Sequence, residues 1–326
     1  MNVLVTGGAG YVGAHLAEAL RRAGHAVRVL DLRPAREEQP AGPEGAFWQG
    51  SIGELGSQRD AGGPAQPEGA FWQGSVGDPE LVARAVRGVE VIYHMAWAFY
   101  PDDERRELGE NVLGTLALLQ AALAAGVRHL QFASSAVVYG PTGPARTSEE
   151  HPCHPERSSI GGPMYGIAKL ACEGLCLAYG RRGLPVTVWR MHGVLSAGRL
   201  GPFAPMIAQA LRGEPVRAVR GAGGEYVHLA DVIRALLLAV RTSSPGEGRA
   251  CGQVLNLAGT HTYRDPELAR YIVETAGSGS RVELVEDPAQ GMISLSVDRL
   301  RQVLGYEPRE GEFLSGLIQS ALEREA

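Results

Sequence analysis

Cysteine is scarce, with only Cys153, Cys172, Cys176 and Cys251 in a chain of 326 residues. Four thiols at these spacings make no disulfide framework. Cys172 and Cys176 are merely helical neighbours, so no zinc pattern is present either. Positive charge is not in surplus: 31 Lys and Arg face 36 Asp and Glu, a net charge of −5. That balance argues against a nucleic-acid surface. Long apolar runs are missing too. Stretches such as Ala235 to Val240 fall far short of the roughly 20 residues of a membrane span. The opening Met1-Asn2-Val3-Leu4-Val5-Thr6-Gly7 lacks the charged, apolar and cleavable regions of a signal peptide. The expectation is a soluble, reduced, cytoplasmic protein with no nucleic-acid or membrane partner.

Glycine, by contrast, is abundant at 44 residues, and 44% of the chain is hydrophobic, enough for a sizeable core. Asn2 to Val5 reads as a short strand, Val12 to Ala23 as a helix with apolar spacing, and Ala26 to Leu30 as a second strand. The alternation continues with a helix over Leu81 to Val86 and a strand over Val89 to His94. Next come a long helix from Gly109 to Ala125 and a strand from His129 to Ser134. A helix from about Met164 to Tyr179 and the strand Val186 to Arg190 follow. Such alternation implies a parallel sheet covered on both faces. Beyond about residue 200 it loosens, which suggests a smaller second lobe.

One segment occurs twice. Pro40 to Gly53 returns 24 residues later as Pro64 to Gly77, changed only at Gly42/Gln66 and Ile52/Val76. A single repeat is no solenoid; it reads as a tandem duplication. The second copy runs directly into Asp78-Pro79-Glu80 and the next helix, so Ala70 to Gln73 is assigned to the sheet. The first copy then belongs to a long surface insert.

Gly7-Gly8-Ala9-Gly10-Tyr11-Val12-Gly13 sits where the first strand turns into the first helix. Glycines 7, 10 and 13 permit a tight turn, close approach to a pyrophosphate and close packing of helix on strand. A glycine triplet alone is weak support. Here Asp31 ends the second strand, 18 residues after Gly13, where a carboxylate accepts hydrogen bonds from adenosine ribose hydroxyls. It would repel a 2′-phosphate, which favours NAD over NADP, although Arg33 nearby pulls the other way.

Tyr165-Gly166-Ile167-Ala168-Lys169 puts a tyrosine and a lysine on one helix face. Ser134-Ser135-Ala136 follows the strand Leu130 to Phe132, at the carboxyl end where ligands meet parallel sheets. A tyrosine hydroxyl titrates near pH 10. A neighbouring ammonium and an oxidised nicotinamide would bring it into a useful range for acid–base work.

With these features in this order, the sequence resembles the extended short-chain dehydrogenase/reductase superfamily, in its NAD-dependent epimerase/dehydratase branch. The resemblance covers almost the whole chain. It runs through Thr6 to Gly13, Asp31, Tyr93 to Ala96, Asn111 to Thr115, Ser134 to Gly140, Tyr165 to Lys169 and Tyr226 to Asp231. Asn256-Leu257-Ala258-Gly259 and Leu304 to Pro308 complete it. It implies an α/β fold: a doubly wound parallel (Rossmann) sheet with a smaller C-terminal substrate lobe, commonly paired as a homodimer through a four-helix interface. The cofactor domain would span residues 1–189 and 227–257, with the duplicated insert at about 40–66, and the lobe 190–226 and 258–326.

Carried over residue by residue, the resemblance makes Tyr165 the general acid/base, Ser135 its partner at the reacting oxygen, and Lys169 the group that holds the nicotinamide ribose. Cofactor contacts would come from Gly7, Gly10, Tyr11, Val12 and Gly13, and from Asp31 and Arg33. Ser75, Val76, Met95, Ala96, Trp97, Asn111 and His192 would add to these, with Tyr165 and Lys169. NAD is the implied cofactor, no metal is implied, and the partner is a small-molecule substrate.

Several departures bear on that substrate. Where the family has Gly-Asp after the third strand, with the Asp touching adenine, this chain has Gly74-Ser75. The arginine that grips a nucleotide diphosphate is replaced by Gly224, an asparagine by Gly193, and a late Arg-Pro-Gly-Asp motif by Asp287-Pro288-Ala289-Gln290. Arg199, Arg217, Arg220 and Arg264 are the candidate substitutes. Ser135-Ala136-Val137 stands where dehydratases carry Thr-Asp-Glu, which removes the carboxylate that water elimination needs. What remains is hydride transfer at a secondary alcohol or ketone, by a sugar-nucleotide epimerase or a related oxidoreductase. The alternatives are a reductase or dehydrogenase of a non-nucleotide substrate, for which Trp97, Phe99 and Tyr100 would line an apolar pocket, and a non-catalytic NAD(H) sensor. Retention of Ser135, Tyr165 and Lys169 argues against the sensor.

Overall fold

A computed structural model describes residues 1–34, 71–100, 102–158, 160–241, 250–287, 290–308 and 313–325. Its first half is built as β1 (Asn2–Thr6), α1 (Tyr11–Arg22), β2 (Ala26–Asp31), β3 (Phe71–Gln73), α2 (Pro79–Ala85) and β4 (Val91–His94). Then come α3 (Glu104–Leu108), a π turn (Gly109–Leu113), α4 (Gly114–Ala124), β5 (His129–Ser135), β6 (Gly143–Thr147), α5 (Tyr165–Arg181) and β7 (Val186–Met191). The edge strand Phe71–Gln73 comes from the second copy of the repeat. The first copy and Ala70 lie outside the described residues.

The second half adds β8 (Val194–Leu195), α6 (Phe203–Leu211), β9 (Val216–Val219), β10 (Gly223–Gly224), β11 (Val227–His228) and α7 (Leu229–Arg241). It closes with β12 (Gln253–Leu257), β13 (Tyr263–Arg264), α8 (Asp265–Ala276), β14 (Val282–Val285), β15 (Met292–Leu295), α9 (Asp298–Leu304) and α10 (Phe313–Glu325).

Seven strands form one parallel sheet in the order β12-β7-β5-β4-β1-β2-β3. The strand order reverses at β1 and β4, and there the crevice for a ligand opens, beyond the carboxyl ends. Side chains alternate across the sheet, so each strand feeds two cores. Val3, Val5, Tyr93 and Trp189 pack on the side of Leu16, Leu20 and Leu236. Leu4, Ile92, Phe132 and Val188 pack on the other, against Val82, Leu118, Cys172 and Cys176. The cysteine pair therefore faces the interior and is buried there. A third core, with Phe203, Ile207, Tyr226, Ile272 and Ile318, fills the smaller lobe. Its main sheet runs β13-β10-β15-β6 and recruits β6 from between β5 and α5.

The long helix expected from Gly109 starts earlier. Asp103 caps it by accepting from the Arg106 N–H at 2.9 Å. The first turn, Glu-Arg-Arg-Glu-Leu, has no apolar period for a sequence reading to find. At Gly109–Leu113 the helix widens into a π turn, a local distortion that often marks a working site.

Candidate active site

The glycine loop follows β1. Gly7 has φ +70°, a conformation that glycine adopts without strain. A Cβ there would stand 2.5 Å from the Ala96 nitrogen, so the loop lies directly on the chain after β4. A Cβ at Gly13 would collide with the Gly7 carbonyl. The Gly10 N-cap makes no side-chain hydrogen bond to α1, which leaves the helix N–H groups to a ligand.

Asp31 is buried at the end of β2. One carboxylate oxygen accepts from the Ala9 N–H at 2.8 Å and the other from the Arg33 N–H at 2.9 Å. The Arg33 guanidinium turns back, with Nε 3.4 Å from Asp31 Oδ1. Its Nη2 stands 3.3 Å from the Cβ position of Gly10. A pyrophosphate cradle with a carboxylate at its far end fits NAD. The turn is made by glycines at which a Cβ would meet backbone, the Ala96 nitrogen at Gly7 and the Gly7 carbonyl at Gly10 and Gly13.

The carboxyl end of β5 meets α5 residue by residue. Lys169 Nζ donates to the Ala133 carbonyl at 2.6 Å, and Ser134 Oγ donates to Glu173 Oε1 at 2.5 Å. Ser135 lies close enough to the Tyr165 hydroxyl to favour its ionised form, and its Oγ accepts from the Val137 N–H at 3.3 Å. Tyr165, Lys169 and Glu173 recur every fourth residue, so one face of α5 lies against Ala133 to Ser135 at the end of β5. Glu173 anchors the strip: Arg190 reaches it through Nη2 at 2.7 Å and Nε at 3.1 Å, both partners buried.

Burial raises the Tyr165 hydroxyl above its ordinary value, while the Ser135 hydrogen bond and the Arg199 charge pull it down. Burial pushes Lys169 down to about 7, although Cys172, Glu173 and Cys176 favour its charged form. Its ammonium lies 3.8 Å from the Trp97 ring centroid, a cation–π contact. Trp97 also meets Tyr165 edge-on at 5.4 Å, and among the described residues its buried indole N–H has no partner. Phe99 lies 5.3 Å from the Tyr165 ring and is 45% exposed. Tyr100 turns away, buried, with Arg106 4.3 Å over its ring.

Asn111 holds this aromatic loop rather than projecting freely. It accepts from the Ala98 N–H at 2.9 Å and donates to the Ala98 carbonyl at 2.7 Å and the Glu107 carbonyl at 2.9 Å. Beneath it runs a buried chain from Thr6 through His94 to Thr115, at 2.7 and 3.0 Å. Burial pushes the His94 ring down to about 3, with the Lys169 charge adding to that.

On the lobe side, the His192 ring stacks on Tyr226 at 5.5 Å and 24°. A Cβ at Gly224 would run into that ring and into the Ile293 carbonyl. No arginine fits at this position, because His192 fills its space. Among the described residues His192 Nδ1 is buried without a hydrogen-bond partner, and burial pushes its ring down to about 4. Of the candidate arginine substitutes, Arg217, Arg220 and Arg264 pair with Glu283, Glu286 and Glu267 on the surface. Arg199 alone turns to the cleft, 4.8 Å over the Tyr11 ring. Tyr11 in turn donates to Ser196 Oγ at 2.6 Å.

The structure thus brings together Gly7, Gly10, Gly13, Asp31 and Arg33 at one end of the cleft, and Ser135, Tyr165, Lys169 and Trp97 at its centre. Val12 packs against the first core and Val76 against the second. Met95 and Ala96 line the loop contact, and Ser75 bonds to Glu110. Sequence reasoning missed Glu173 and Glu110. The spacing of Glu173 from Lys169 was a usable signal; nothing local pointed to Glu110.

A family model described as "NAD dependent epimerase/dehydratase family" matches residues 3–258. A UDP-glucose 4-epimerase of Azospirillum brasilense is 28% identical, over 99% of this chain and 91% of its own. A 3 beta-hydroxysteroid dehydrogenase/Delta 5-->4-isomerase of Mycobacterium tuberculosis is 29% identical, over 93% of this chain and 77% of its own. Among solved structures, MoeE5 in complex with UDP-glucuronic acid and NAD superposes with a TM-score of 0.73 at 26% identity, covering 100% of this chain and 99% of that one.

Proposed function

The chain belongs to the NAD-dependent epimerase/dehydratase family, and from that premise we propose that it catalyses reversible hydride transfer at a secondary alcohol of a nucleotide-linked sugar, as an epimerase. It is an enzyme of the extended short-chain dehydrogenase/reductase type, with NAD as cofactor. The observation that carries the reading is the strip in which Ser135, Tyr165 and Lys169 meet across β5 and α5.

NAD, when bound, would supply a hydride acceptor and donor for a substrate carbon. Gly7, Gly10 and Gly13 would hold its pyrophosphate, Asp31 its adenosine ribose and Lys169 its nicotinamide ribose. The Tyr165 oxygen takes the proton from the substrate hydroxyl as the carbonyl forms and gives it back on reduction. Ser135 hydrogen-bonds the same oxygen and fixes its distance from Tyr165. The Lys169 ammonium and the Arg199 charge stabilise the tyrosinate against its burial. Arg199, the cleft-facing cation, would meet the substrate diphosphate.

One group of observations favours a second reading, net oxidation of an apolar alcohol. Phe99 is half exposed beside Tyr165, His192 occupies the space above Gly224, and the mycobacterial relative is named for a steroid substrate. One experiment divides the two. The protein is denatured and released NAD and NADH are measured by chromatography, followed by assays with UDP-sugars and with hydrophobic alcohols. Retained NAD at one equivalent with UDP-sugar turnover supports the epimerase. An empty protein that oxidises only hydrophobic alcohols overturns it.

Leu113 and Ile167, 63% and 38% exposed beside α4 and on α5, fit a homodimer joined through these helices, in a cytoplasmic setting. A monomeric mass by light scattering would refute the dimer.

A further inference from the structure

The adenosine end of the cleft contains a carboxylate that no sequence pattern marks. β2 and β3 run side by side, Asp31 opposite Gln73, and the Gly74 N–H donates to the Asp31 carbonyl at 2.9 Å. The turn 74–77 therefore continues along the crevice directly beyond Asp31. Ser75 Oγ accepts from the Gly77 N–H at 2.8 Å and donates to Glu110 Oε2. Glu110 comes from the π turn that precedes α4. The helix lies this close because residue 114 is glycine: a Cβ there would stand 3.0 Å from Val76 and 3.2 Å from the Gly77 nitrogen. Among the described residues, Glu110 Oε1 carries no hydrogen bond, so one acceptor oxygen is left for a ligand.

The chemistry of that ligand follows from its neighbours. With the pyrophosphate on the glycine loop and the ribose on Asp31, the base attached to that ribose can extend only away from the loop, along residues 74–77. Adenine presents an exocyclic amino group there, a donor, and a carboxylate is its matched acceptor. We infer that Glu110, oriented by Ser75, accepts the adenine amino group of NAD and so supplies from a helix the carboxylate that the strand end at residue 75 lacks. The inference rests on Asp31 being the ribose acceptor. Glu110 is a specificity residue for the cofactor, and Ser75 is its positioning residue.

Hypoxanthine has a carbonyl where adenine has the amino group, so the hypoxanthine analogue of NAD places an acceptor against the carboxylate. Titration calorimetry with NAD and with this analogue reads the interaction without any turnover. A charge-assisted hydrogen bond of this kind predicts that the wild-type protein binds NAD about tenfold more tightly or better. Glu110→Ala should weaken NAD by about that factor and leave the analogue nearly unchanged, so that the ratio collapses toward one. Ser75→Ala should lower the ratio part of the way. Equal binding of the two dinucleotides by the wild type overturns the inference with no variant needed, as does an unchanged ratio in Glu110→Ala. A wild type that binds neither dinucleotide refutes the cofactor reading itself and Glu110 with it.

Discussion

The two ends of the cleft are built in opposite ways. At the glycine-loop end, backbone N–H groups, a buried carboxylate and close-packed glycines form the surface, and apart from Glu110 on Ser75 the contacts join residues near in sequence or on adjacent strands. At the lobe end, Tyr226 is stacked by His192, met edge-on by Phe203 and tilted against Tyr263, and His192 fills the space above Gly224. The first design suits a fixed, charged ligand. The second is set by which rings fill which spaces, so neighbouring folds can change it without touching the hydride chemistry. The strip of Ser135, Tyr165, Lys169 and Glu173 lies between them, and substitutions there show where binding ends and turnover begins.

The largest expected effect is at Tyr165. Tyr165→Phe should lower turnover by about 10²- to 10⁴-fold and leave NAD affinity within a factor of a few. Near-normal turnover would take the proton-transfer role away from Tyr165, and lost NAD affinity would merge the centre with the cofactor end. Next comes the anchor below it. Glu173→Ala leaves Arg190 buried without its counter-charge, which costs about 3–5 kcal/mol, read as a shift in urea midpoint. An unshifted midpoint would mean the strip is held by packing alone.

Acid should also weaken the fold. His94 is pushed down to about 3, and His129 and His192 to about 4, all mainly by burial. From pH 6.5 toward 4 the unfolded chain therefore takes up protons on these rings that the folded chain refuses, and stability falls. Asp265, raised to about 6 by burial, and Glu107, also raised, bind protons in the folded state and offset part of the loss. Each uncompensated proton is worth about 1.4 kcal/mol per pH unit. A melting temperature that stays level from pH 6.5 to 4 would contradict this.

The smallest effect is at the aromatic cover. Phe99→Ala should raise KM a few-fold for an apolar alcohol, and leave it unchanged for a nucleotide-linked sugar held at its diphosphate. The sign of that difference sharpens the contrast between the two ends.

The same contrast explains what was legible in the sequence. The glycine loop, Asp31, Ser135, Tyr165 and Lys169 are set by local turns and helix spacing, and the strand–helix alternation placed them. Six strands of the parallel sheet followed from that alternation as well, while β12 lies beyond residue 200, where the alternation loosens. Contacts made by distant segments were not legible. Glu110 meets Ser75 across 35 residues, and His192 fills the space above Gly224 only because two strands of different sheets converge. The helix start at Glu104 was hidden because its first turn is charged. Cys172 and Cys176 are helical neighbours by spacing, but only packing shows that they point into the core.

The edge strand has a consequence for the history of the gene. Phe-Trp-Gln-Gly-Ser stands twice in the chain, 24 residues apart, and the sheet needs it once. Loss of one whole period would leave a complete third strand still followed by the serine that orients Glu110. Chain length at this edge is thus free to drift by a fixed quantum while the cofactor end keeps its register.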